Sequence, residues 1–158
     1  MNIEDLKQKY GSVSIHITTK DRAGEFAICL QSLRTQTYDK WDLIILCDGS
    51  STPTYNHQIV SKLLDRIRLE KHHVKLLTNE VSQGVCHARQ KLVDNDKFDN
   101  QLICRCDDDV ILEPSYIQKL VEGIEKGYDL VSGVTPPVQT PETKRETKFI
   151  KPIVDEMQ

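Results

Sequence analysis

An α/β domain with a mainly parallel sheet and helices on both faces is the fold the sequence predicts, and three observations carry that prediction. Short apolar segments of strand length alternate along the chain with segments of helical period. The connections between them are brief clusters of Gly, Pro, Ser, Thr and Asp. Polar residues gather where apolar segments end, at Thr18-Thr19, Asp48-Gly49-Ser50 and Asp107-Asp108-Asp109. In a parallel sheet such positions emerge together at the ligand edge.

Taken in order, residues 3–10 read as a short amphipathic helix with Leu6 and Tyr10 on one side. In residues 12–19, Val13, Ile15 and Ile17 alternate with Ser14, His16 and Thr18, the period of a strand rich in β-branched residues. His16 lies mid-strand and is expected to be satisfied inside the fold. A polar turn, Lys20 to Gly24, precedes Phe26, Ala27, Leu30 and Leu33 at helical spacing. Residues 41–47, WDLIILC, form a nearly continuous apolar run, the mark of a strand covered on both faces, and close on Asp48. Val60, Leu63, Leu64 and Ile67 mark a helix that ends before His72-His73, a solvated linker with no carboxylate partner visible in the sequence. Residues 74–78 are a third strand, and Gly84 enters a helix carrying His87 and Arg89. A fourth strand, residues 102–106, runs into the three aspartates. Ile117, Leu120, Val121 and Ile124 then define a helix stopped by Gly127. Residues 128–132 read as a fifth strand. From 134 to 158 the composition shifts to Pro136-Pro137, Pro141 and a charged run, and an extended or disordered tail is expected.

At 158 residues the chain fits one domain able to bury roughly 68–70% of its unfolded surface without a disulfide or metal staple. Charge is nearly balanced, 21 Lys+Arg against 24 Asp+Glu, and the basic residues form no stripe alternating with aromatics, which disfavours nucleic acid as a partner. Five cysteines, odd in number and mostly inside apolar segments, suit reduced core thiols and a cytosolic compartment. Cys104 and Cys106 have no second pair at zinc spacing. No apolar run approaches the ~20 residues of a membrane span, and the first residues are too polar for a signal peptide, so any membrane contact is expected to be peripheral.

The acidic triplet is the most informative stretch. Three adjacent carboxylates repel one another, and a hard divalent cation, Mg2+ or Mn2+, is the simplest compensation. The competing reading of a bare DDD is a solvated turn or the cap of the following helix. Context favours the first: the motifs VSIHITTKDR, LIILCDGSS, GVCHAR and CDDDVILEPSYIQKL stand in the order found in family 2 glycosyltransferases of the GT-A fold, and over residues 12–133 the chain resembles that family.

The resemblance implies a Rossmann-like, nucleotide-binding GT-A domain, residues 1–133, that lacks most of the acceptor subdomain. It implies that Thr18, Thr19, Asp21 and Arg22 lie against the nucleoside, that Asp48 reads the base beside a turn permitted by Gly49, and that Arg89 faces nucleotide or diphosphate. In the family's DXD motif Asp107 and Asp109 are the terminal aspartates. Asp109 is the first choice for metal ligand, while Asp107 and Asp108 divide ribose contact and water-mediated metal contact between them. Many relatives carry a further acidic residue where this chain has Val110, which removes one possible ligand. The implied reaction is transfer of a sugar from a nucleotide diphosphate, UDP favoured, to a hydroxyl of a carbohydrate, lipid-linked or protein acceptor, with inversion. No acceptor base is identifiable: either this is a truncated donor-binding half, or a partner or adjoining domain or chain completes the acceptor site. A non-catalytic nucleotide-sugar or carbohydrate-binding module of the same fold is the alternative. A nucleotidyltransferase is disfavoured because TTKDRAG has a single glycine.

Overall fold

The period-two stretch of β-branched residues forms β1 (Val13–Thr19), and the apolar run after it forms β2 (Trp41–Asp48), buried at every position. With β3 (Val74–Asn79) and β4 (Leu102–Asp107) they make a four-stranded sheet of order β3-β2-β1-β4 in which every pair is parallel. The structure, a computed structural model, describes residues 1–133; the tail expected over 134–158 lies outside the described residues.

Register brings the strand ends level. Thr18 pairs with Leu46 on one side and Asp107 on the other, and Asp48 pairs with Asn79. The chain steps from β1 outward to β2 and β3, then returns to place β4 on the other side of β1. That reversal opens a crevice at the carboxyl ends of β1 and β4, where open α/β sheets hold ligands.

Strand alternation sends the two faces to different helices. Ile15, Ile17, Leu43, Ile45, Cys104 and Cys106 pack in one buried cluster with α2 (Ala23–Arg34), α3 (Gln58–Leu69) and α5 (Tyr116–Glu125), joined by Leu6 of α1 (Ile3–Tyr10). Ile44 and Leu46 pack on the opposite face with Ala88 and Leu92 of α4 (Val85–Asn95). Asn2 caps α1 in a reciprocal capping box with Asp5. Gly127, at φ 93°, terminates α5 as its position predicts.

Two expectations are corrected. Residues 128–132 form no strand: Leu130 is 88% exposed, and a cavity of about 610 Å³ is lined by this segment, α5 and β4. The segment's placement follows instead from side chains, with Val131 seated over Gly123 and Gly133 over Tyr116. His73 does have a carboxylate partner, because strand pairing brings Asp42 Oδ1 to 2.9 Å from its Nδ1 and 3.1 Å from its backbone N–H. His72 stacks on Trp41 at 3.6 Å.

His16 meets its expectation, buried and 2.8 Å from Asp96 Oδ2. Cys29, Cys47, Cys104 and Cys106 are buried free thiols. Burial pushes the Cys104 thiol up to about 12, so it is not a thiolate ligand at neutral pH.

Candidate functional site

At the end of β2 the chain must turn at once under a close neighbour. Gly49 adopts φ 81°, and a Cβ there would stand 2.3 Å from the backbone nitrogen of Ser82, so both conformation and space demand glycine. The turn presents Asp48, only 8% exposed, to a ring of donors. Asn79 Nδ2 donates to Oδ1 at 2.7 Å, the Gln83 N–H to Oδ1 at 3.2 Å, and the Ser82 hydroxyl to Oδ2 at 2.8 Å. Burial alone would raise the Asp48 carboxyl, but these hydrogen bonds outweigh it and hold the group below the usual carboxylate range.

The turn after β1 is tied to the one after β2. Asp21 sits at φ 53°, a left-handed conformation that Asp tolerates, and its backbone N–H donates to Ser50 Oγ at 3.1 Å. The Cys47 thiol reaches the same oxygen at 3.1 Å. This arrangement aims Arg22 across the crevice, where Nη1 lies 2.7 Å from Asp109 Oδ2 and 3.4 Å from Asp108 Oδ1.

The three aspartates diverge as β4 ends. Asp107 continues the strand's α4-facing row, is 66% exposed at its side chain, and lies 3.5 Å from Arg89 Nη2. Asp108, 6% exposed, turns towards the α2 side. Burial raises its carboxyl despite the opposing Thr19 hydroxyl and Arg22 guanidinium. Thr19 Oγ1, beside it, is a buried polar atom with no hydrogen bond of normal geometry among the described residues. Asp109 is about half exposed.

The residues singled out in the sequence therefore share one edge, in two groups. Thr19, Arg22, Asp108 and Asp109 meet on the α2 side, while Thr18, Arg89 and Asp107 line a narrow cleft on the α4 side. Asp48 and Gly49 stand one strand away. Asp21 contributes through its backbone. Ser50 was placed at this edge by the sequence, whereas Asn79 and Ser82, which fix Asp48, were missed; the polar residue closing β3 was the available signal for Asn79.

These oxygens suit a hard divalent cation. Arg22 already brings a positive charge to Asp109, and the orphaned Thr19 hydroxyl adds an unused oxygen nearby. Among the described residues no three His, Cys, Asp or Glu side chains converge in a ligating arrangement. Such a cation would thus be held by one or two carboxylates and by a ligand's own oxygens, the habit of Mg2+ at phosphate sites.

The family model described as glycosyl transferase family 2 matches residues 14–154, nearly the whole chain and all four motifs. The chain belongs to that family. Among curated relatives of this family 2 chain, an uncharacterized glycosyltransferase of Haemophilus influenzae is 31% identical over 98 residues, 61% of the chain and 28% of the relative. A glucosyl-dolichyl phosphate glucuronosyltransferase of Haloferax volcanii is 26% identical over 121 residues, 77% of the chain and 36% of the relative. The chain thus spans about a third of the length of these relatives.

Solved structures agree on the fold. S. aureus TarS residues 1–349, in complex with UDP, superposes with a TM-score of 0.59 at 17% identity, over 73% of this chain and 32% of that one. A mannosyltransferase of Pyrobaculum calidifontis, in complex with GDP-Man and Mn2+, gives 0.53 at 18% identity, over 72% and 31%. The family 2 chain is an α/β, GT-A-like domain, and among its described residues no helix is long and apolar enough to cross a membrane.

Proposed function

We propose that the chain is the donor-binding part of a glycosyltransferase, taking a nucleotide-diphosphate sugar, with UDP favoured, and delivering the sugar to an acceptor hydroxyl with inversion. The observation that carries this reading is the convergence, at the β1–β4 switch point, of a buried carboxylate one strand away with an acidic triplet flanked by two arginines.

Asp48, kept ionised and fixed by Asn79, Ser82 and Gln83, offers an acceptor to an imide N–H of uracil, a donor that cytosine lacks. Thr18 and Thr19 border the ribose. Asp109 and Asp107, or Asp109 with Asp108, hold the cation that neutralises charge on the departing diphosphate. Lewis-acid stabilisation of this kind is worth several kcal/mol, so these carboxylates affect rate by at least ~100-fold. Arg89 orients the diphosphate, its planar guanidinium suiting phosphate oxygens. The base for the acceptor hydroxyl comes from outside residues 1–133.

The test is calorimetric titration of UDP, GDP and CDP into the full chain with Mn2+ and with chelator, on wild type and Asp109→Asn. Metal-dependent UDP binding that the substitution weakens is the expected outcome. UDP affinity indifferent to both chelator and substitution would sink the metal assignment.

A further inference from the structure

The acidic triplet divides the edge of the sheet into two electrically unlike halves. On the α2 side, the carboxylates of Asp108 and Asp109 face a single guanidinium, Arg22. On the α4 side, the carboxylate of Asp107 shares a cleft with two guanidiniums, Arg89 and Arg105. One half has an excess of negative charge and attracts a cation. The groups lining the other are two guanidiniums against one carboxylate.

Arg105 is the residue that sets this balance. Strand alternation puts Ile103, Arg105 and Asp107 on the α4-facing row of β4, while Cys104 and Cys106 enter the core. Arg22, Arg34, Arg66, Arg68 and Arg89 each have a carboxylate partner, and Arg105 alone among the arginines of the described residues has none. It is exposed and lines the cleft with Thr18, Arg89 and Asp107, two positions before the strand ends. The Asp96 carboxylate is engaged by the buried His16 at 2.8 Å and makes no ion pair with Arg105.

We propose that Arg105 and Arg89 form an anion seat on the α4 side of the triplet, binding a charged oxygen group of the donor: a phosphate, or a carboxylate carried by the donor sugar. The inference rests on the reading of the crevice as a nucleotide-sugar site. Asp107 stands between the seat and the Asp108–Asp109 pair that faces Arg22, so the two halves grip different parts of one ligand. Two guanidiniums suit such a group because their fixed forks deliver paired donors to planar or tetrahedral oxyanions.

The full chain is titrated with UDP, uridine, UDP-glucose and UDP-glucuronic acid, using wild type, Arg105→Gln, Arg105→Met and Arg105→Lys. If the seat takes a phosphate, Arg105→Gln and Arg105→Met weaken UDP about tenfold and leave uridine unchanged, and Arg105→Lys restores part of the loss. If it takes a sugar carboxylate, UDP is unaffected and a wild-type preference for UDP-glucuronic acid over UDP-glucose disappears in both variants. Unchanged affinity for all four ligands in both variants would overturn the seat. A wild-type chain that binds UDP no better than uridine would overturn the donor-site reading itself. Arg105 is exposed, so the thermal midpoint is expected to be the same in every variant.

Discussion

Asp48 and Arg22 show how much of the site is decided by single side chains. Asp48 has both oxygens engaged before any ligand arrives, but Oδ2 meets only the Ser82 hydroxyl, a rotor that can make way for an imide N–H. Asp48→Ala is expected to cost UDP affinity roughly 10- to 150-fold, the worth of one charged hydrogen bond, and to erase discrimination against CDP while metal dependence persists. Equal binding of UDP and CDP by the wild type would show that Asp48 does not read the base. Arg22 is in effect a resident cation on Asp109. Replacing it by Gln removes the competitor, and Mn2+ affinity without nucleotide should rise up to about fivefold, the range of a half-exposed ion pair. Electron paramagnetic resonance of free Mn2+ reads this directly; weaker Mn2+ binding in Arg22→Gln would mean that Arg22 organises the carboxylates instead.

Among the elements, the loops after β1 and β2 carry the most information per residue. They are short and tied together, since Ser50 accepts from Asp21, and the second is also pressed against the loop after β3, where Ser82 covers Gly49. Gly49→Ala forces a side chain into a left-handed turn and against a backbone nitrogen 2.3 Å away. A loss of about 1–3 kcal/mol in stability is expected, along with loss of nucleotide binding, since Ser82 and Asp48 must separate. Denaturant titration and calorimetry check the two effects. A variant with wild-type stability and affinity would mean the loop relaxes freely. At the other end of the sheet, α5 and the segment after it show an element that sequence pattern misjudges. Tyr128 to Ser132 has strand composition, but a strand exists only where a neighbour supplies hydrogen bonds. Here a cavity lies between the β4 edge and the segment.

For the molecule as a whole, stability should fall in acid for an identifiable reason. Glu70, at the C-terminal end of α3, is bound by Arg34 of α2 and by Arg66 of its own helix, and Arg34 above all lowers its pKa from the ordinary 4.5 to about 2. A depressed carboxylate stabilises the folded state fully above its unfolded pKa and loses that contribution as pH falls through the folded value. The α2–α3 contact should therefore weaken between about pH 4.5 and pH 2, by about 1–2 kcal/mol for a partly exposed pair. Urea midpoints measured across that window should fall less steeply in Glu70→Gln than in wild type. Identical slopes would remove Glu70 from the acid response.

Several features were legible in the chain itself because local chemistry dictates them. Alternating β-branched residues, an unbroken apolar run and helical spacing fix strands and helices through side-chain burial alone. Polar residues closing those strands point to one edge once the sheet is parallel. So the order of elements, the GT-A-like class and the gathering of Thr19, Asp48, Arg89 and Asp107 to Asp109 could be read in advance. The partners of those residues could not. That Asn79 and Ser82 orient Asp48, that Arg22 and Arg89 divide the triplet, and that Arg105 is left without a carboxylate all depend on strand register and on which face each residue meets. These contacts join positions as much as 87 residues apart, and only folding makes them neighbours. The missing fifth strand has the same cause: its hydrogen bonds belong to the edge of β4, and its own sequence cannot supply them.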